Sequence, residues 1–150
     1  MAGFTYNAGS TALQDRTVDF VGDGAVKIML LTDAYTPNKD HAGVDDLSGA
    51  EVSVSGYTGG FNGAGRKALG TKSISTDTAT DRTNYAAANP TAWTLAAGED
   101  VKYAAVIWED TNDAGSIPLF LYDFAEGTIP TNGGTFTFSF TGGIVGYTQQ

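Results

Sequence analysis

The sequence predicts a mainly β protein: an antiparallel β-sandwich or partly open barrel with one or two short helices. Three observations lead there. Glycine is abundant, at 20 of 150 residues, while charged residues make up only 17%. Helical bundles lean on Glu, Lys and Leu, whereas short strands are joined by glycine-containing turns. Residues Thr135 to Thr141 alternate without error, so Phe136, Phe138 and Phe140 share one face of a strand. About eight to ten strand-like segments recur along the chain, at the roughly 8–12-residue spacing of a sandwich or barrel.

Taken in order, Tyr6 to Asp15 carries a weak helical pattern. Asn7 is placed to cap it, and Ala8, Ala12 and Leu13 fall near one face. Gly9 costs it up to ~1 kcal/mol, so a turn or two is expected. Val18 to Val21 reads as a short strand. Gly22-Asp23-Gly24 reads as the hairpin turn after it, because Asp-Gly tolerates positive φ. Ala25 to Thr32 is nearly continuous in apolar residues, which predicts a strand covered on both faces. Lys27 interrupts that run. It must reach solvent or an acid, because a buried unpaired ammonium is costly.

Asp33 to Gly49 is the longest irregular stretch. Pro37 holds Thr36 extended, and Asp45-Asp46-Leu47 fits one helical turn. A connection of this length without a strand is often functional. Glu51 to Ser55 alternates with period two, as a half-buried strand does. Gly56 to Gly65 holds five glycines and reads as a mobile loop or irregular edge. Arg66 to Ser75 is expected to pair with Thr83 to Ala86 across a polar turn at 76–82. Asn89-Pro90 breaks the chain, and Ala92 to Leu95 forms a short strand.

Val101 to Trp108 is the second strong core strand, with Glu109 to Gly115 as a hairpin loop and Ile117 to Phe124 as its partner. Pro118 donates no ladder bond, so it belongs at a strand start or a bulge. Thr131 to Gly134 turns the chain into the alternating Phe segment, and Ile144 to Tyr147 is a closing strand. No repeat, heptad or linker divides the chain, so residues 1–150 read as one domain.

The net charge is −9, from 17 Asp and Glu against 8 Lys and Arg. Nucleic acids and anionic membranes both demand a basic footprint, so neither is an expected partner. A basic protein surface would fit. There is no cysteine. Disulfides, thiolate nucleophiles and thiolate metal sites are excluded together. No apolar run approaches the ~20 residues of a membrane helix. Met1-Ala2-Gly3-Phe4 lacks a basic region followed by an apolar one, so synthesis in the cytoplasm is expected.

Motifs for chemistry fail one by one. His41 is the single histidine, beside Asp40 in a polar loop, and reads as solvated. No Gly-x-Ser-x-Gly elbow supplies it with a nucleophile. Asp45-Asp46, Glu99-Asp100 and Glu109-Asp110 are adjacent acids, whereas a glycosidase needs carboxyls about 5–10 Å apart across a cleft. Asp110 to Gly115 has the alternating oxygens of a calcium loop. Its twelfth position is Leu121, where a bidentate Glu would be needed. Gly63-Ala64-Gly65-Arg66-Lys67 is neither a P-loop nor a dinucleotide fingerprint. No catalytic, cofactor-binding or metal residue is assigned, and no enzymatic activity is expected. Tyr35, Tyr57, Phe61, Trp93 and Trp108 are the material for a sugar platform, but aromatics in β proteins usually go to the core. Trp108 is assigned to core or rim. Tyr57 and Phe61, flanked by glycine, are expected to be exposed and to meet a protein partner.

Four segments, in order, carry a resemblance. They are Tyr6-Asn7-Ala8-Gly9; Val26 to Pro37 with Asp40-His41 following; Glu51-Val52 with Ser55 to Gly60; and Tyr103 to Thr111. In the same order, and with a match that runs over most of the chain, they resemble a family of small structural proteins of tailed bacteriophages. The chain departs from the family pattern in three places. Lys102 precedes Tyr103 where relatives often have Arg, Glu109 stands where they often have Lys, and Ser53-Val54 is extra. The resemblance implies a virion component on the phage head: a capsid decoration, or cement, protein with no active site and no cofactor. It implies the major capsid protein and copies of the chain itself as partners. Tyr35, Pro37, Tyr57, Phe61 and Arg66 are the expected partner-binding residues. The competing readings are a tail, baseplate or fibre component, and a carbohydrate-binding β-sandwich.

Overall fold

A computed structural model describes residues 2–124, 127–140 and 145–148. Along the chain run β1 (Ala2–Thr5), α1 (Asn7–Gln14), β2 (Val26–Thr32), α2 (Asp45–Ser48), β3 (Lys67–Ala68), β4 (Ser73–Asp77), β5 (Arg82–Ala86) and β6 (Trp93–Thr94). They are followed by β7 (Asp100–Trp108), β8 (Ile117–Asp123), β9 (Ile129–Pro130), β10 (Thr135–Phe136) and β11 (Val145–Thr148).

The two most apolar segments, β2 and β7, pair antiparallel at the centre of the main sheet. Its order is β1-β8-β7-β2-β3, with β9 paired to the start of β7. Because successive side chains point to opposite faces, this one sheet feeds two cores. Val26, Ile28, Leu30, Ala104, Val106, Phe120 and Tyr122 enter the larger. Met29, Leu31, Tyr103, Ala105, Ile107 and Leu121 enter the smaller. The larger core is closed by Ala12 of α1, by Trp93 and Leu95, by Phe138, and by the half-buried Tyr85 of β5. The smaller is closed by Tyr6 and by Tyr35, Val44 and Leu47 from the connection after β2. Both faces of β2 are thus covered. The sheets stay open rather than closing into a barrel, and all strand pairs are antiparallel, as in a β-sandwich. Among the described residues no helix is long and apolar enough to cross a membrane.

Gly9 is what seats α1 on the sheet. A Cβ there would lie 2.6 Å from both Leu119 Cα and the Pro118 carbonyl oxygen. The residue that weakens the helix therefore permits its contact with β8. Asn7 does not cap α1. Tyr6 is the N-cap and makes no side-chain cap bond, while the Asn7 amide donates to Asp40 at 2.7 Å. Pro118 meets its expectation: the β7–β8 register shifts between Val106 and Ile107, and Pro118 stands opposite Ile107.

Four strand expectations need correction. Val18 to Val21 is a turn; Val18 and Phe20 are buried, and Asp19 accepts the Gly22 amide at 3.0 Å. Glu51 to Ser55 makes only one bridge, Glu51 to Leu31. The Ser53 amide is taken by Glu99 at 2.7 Å, so no ladder continues. The segment from Arg66 splits, β3 joining β2 and β4 joining β5. The alternating Phe segment keeps its burial pattern but pairs only at Thr135 and Phe136; Phe138 is buried between exposed Thr137 and Ser139. Burial of aromatics, rather than backbone pairing, dictates that alternation. Thr141 and Ile144 lie outside the described residues.

Candidate functional site

Arg66 ends the glycine-rich loop, and its side chain is fully buried. A buried guanidinium needs its charge and all five of its donors satisfied. Nε and Nη2 donate to the two carboxylate oxygens of Glu51, at 2.8 and 2.7 Å. Nη1 donates to Glu109 Oε1 at 3.0 Å and to Asp113 Oδ1 at 2.5 Å. Nη2 also donates to Asp113 Oδ2 at 3.1 Å. Lys27 supplies the second cation, in direct contact with Glu109 Oε2. The acid that Lys27 requires is therefore on the β7–β8 hairpin, 82 residues away in sequence.

Around this cluster the loop closes on itself. The Tyr57 hydroxyl donates to Glu51 Oε1 at 2.9 Å and accepts the Leu30 amide at 3.1 Å. The Gly60 amide donates to Glu51 Oε2 at 2.9 Å. Gly65 lies flat against the Tyr57 ring, where a Cβ would come within 2.7 Å of ring carbons, and its carbonyl accepts Trp93 Nε1 at 2.7 Å. Burial alone would lower the Arg66 pKa; hydrogen bonds to Glu51 and Asp113 outweigh it and raise the value. Burial, then the Glu51 charge, pushes the Tyr57 phenol well above its ordinary value.

A second hydrogen-bonded chain anchors the connection after β2. The Tyr6 and Tyr35 hydroxyls lie 2.8 Å apart, and the Tyr35 hydroxyl is 2.9 Å from His41 Nδ1. His41 is thus tied to the core rather than free in solvent. The Asn7 amide donates to the Lys39 carbonyl at 2.9 Å. The Val44 amide reaches the carbonyls of Asp113 and Ser116, each at 3.0 Å. Both long loops therefore dock on the β7–β8 hairpin.

Of the five expected partner-binding residues, three are buried: Tyr35 at 4%, Tyr57 at 5% and Arg66 at 3% exposure. The expectation that Tyr57 is exposed is overturned, because its hydroxyl is needed inside by Glu51 and Leu30. Pro37 is exposed and Phe61 half-buried. Glu51, Glu109 and Asp113, which hold Arg66, were not assigned from sequence. The one signal in the sequence was Lys27, a cation in an apolar run that needs an acid, and it leads to Glu109 but not to Glu51 or Asp113. Among the described residues, no group of three or more His, Cys, Asp or Glu is placed to hold a metal ion.

Compared with family models, curated proteins and solved structures, the chain matches none.

Proposed function

We propose that the protein is a structural component of a tailed-bacteriophage virion: a capsid decoration protein that docks as an oligomer on the outer head surface and stabilises it. One observation carries the reading. The segments that resemble the phage family converge in space. Lys27, Glu51, Tyr57 and Glu109 meet around Arg66, while Tyr35 and His41 join Tyr6. These are the residues that pin two long loops to a rigid sheet. A decoration protein needs such preformed loops, because ordering them on docking would cost binding energy. The acidic net charge suits a basic patch on the capsid shell. Exposed Pro37 and half-buried Phe61 remain available to touch it.

The test is the copy number in purified virions of the source virus, measured by quantitative mass spectrometry against the major capsid protein. One copy per capsid subunit, or a simple fraction, is expected. A few copies to a few tens would place the protein in the tail or baseplate. Absence from virions would end the reading.

A further inference from the structure

Three groups with complementary chemistry meet at the edge of the charged cluster. The Lys27 ammonium lies 3.5 Å from the Asn62 side-chain oxygen and also contacts Glu109 Oε2. Glu109 is 3% exposed and Lys27 17%, so water is largely kept from the amine and the acid. Asn62 is exposed, which leaves its amide nitrogen a path to solvent. The placement is held from several sides. Lys27 is fixed in β2 by pairing with Ile107 and Ala68. The Asn62 amide N–H donates to Glu109 Oε1 at 3.4 Å. The loop around it is closed by Gly63 N to Gly60 O at 2.8 Å and Gly65 N to Thr58 O at 2.9 Å. Arg66 occupies Glu109 Oε1, which leaves Oε2 for the amine. One carboxylate thus positions both a nucleophile and the backbone that carries an electrophile. Such fixed proximity makes slow condensations feasible.

We propose that Lys27 and Asn62 join in an intramolecular amide cross-link, with Glu109 carrying the proton. Lys27 passes one proton to Glu109 Oε2, and the neutral amine attacks Asn62 Cγ. A second proton moves from Nζ, through Glu109, to Nδ2. The Cγ–Nδ2 bond breaks, the Nζ–Cγ amide remains, and ammonia departs with the first proton as ammonium. Glu109 returns to carboxylate, and no oxidant or cofactor takes part. The product ties the glycine-rich loop to the central strand in a chain without cysteine. The cross-link is independent of the virion reading, because it rests on this geometry alone.

The test is the intact mass of the purified full chain after prolonged incubation at neutral pH. The expected mass is below the sequence mass by one ammonia, and protease digestion yields a branched peptide joining Lys27 to Asn62. Lys27→Arg and Asn62→Ala each restore the full mass, as does Glu109→Gln. Circular dichroism shows which variants fold, and Lys27→Arg, which keeps the charge, decides the matter if Glu109→Gln does not. A full-length mass in the unmodified protein overturns the proposal. So does ammonia loss that persists in Lys27→Arg, because ring closure between Asn62 and the Gly63 amide would then account for it.

Discussion

Arg66 grips Glu51 with two parallel hydrogen bonds, Nε to Oε1 and Nη2 to Oε2, across 15 residues of a glycine-rich loop. The pair is buried, so its value lies in being complete. Removing one partner strands a charge in a place that water hardly reaches.

Arg66→Ala should therefore destabilise the fold by about 3–5 kcal/mol, because Glu51 keeps its burial and loses its cation, while Glu109 is left with Lys27 alone. Urea unfolding checks this through a lower midpoint at unchanged slope. Arg66→Lys should not rescue it, since an ammonium cannot reproduce the planar fork. A loss below ~1 kcal/mol would mean the cluster behaves like a surface ion pair.

Tyr57→Phe removes only an oxygen, yet that oxygen serves Glu51 and the Leu30 amide. The expected cost is about 1–3 kcal/mol, the penalty for leaving a buried amide unsatisfied. The same urea titration reads it, and a neutral result would show that water replaces the hydroxyl.

Gly9→Ala sets two effects against each other. Helix propensity gains up to ~1 kcal/mol. The new methyl meets the Leu119 and Pro118 backbone at 2.6 Å, which cannot move aside cheaply. Overpacking of this kind costs roughly 1–3 kcal/mol, so net destabilisation is expected. Gly49→Ala is the control: nothing lies within 4 Å, and φ is −66°. It should be neutral or slightly stabilising. Thermal unfolding of the two variants separates the outcomes.

Alkaline pH should unfold the protein. Burial raises the phenol pKa of Tyr6, Tyr57 and Tyr122, joined by hydrogen bonding to Tyr35 for Tyr6 and by the Glu51 charge for Tyr57. Unfolded tyrosines ionise near pH ~10. A group whose folded pKa is raised contributes its full stability below the unfolded value and loses it as pH rises beyond. Stability should hold up to about pH 10 and fall above it. Tyrosinate absorbance and circular dichroism should change together; ionisation of all tyrosines in a still-folded protein would contradict the burial.

Local pattern alone determined much of the fold. The apolar runs at Val26–Thr32 and Val101–Trp108 could only be central strands, and Pro118 could sit only where no ladder bond was needed. Alternation decided which Phe residues turn inward at 136–140, though it overstated how far they pair. Those signals are short-range: a period of two, a missing N–H, a glycine. The charged cluster is of another kind. Lys27 announced that it needed an acid, but which of 17 acids depends on where the β7–β8 hairpin brings Glu109. Tyr57 looked exposed because its neighbours are glycines; in the fold those glycines let the loop press the ring inward. Arg66, Glu51 and Asp113 look like ordinary surface charges in sequence. Only the tertiary structure decided that they share one buried site, because burial and pairing are set by contacts between residues distant along the chain.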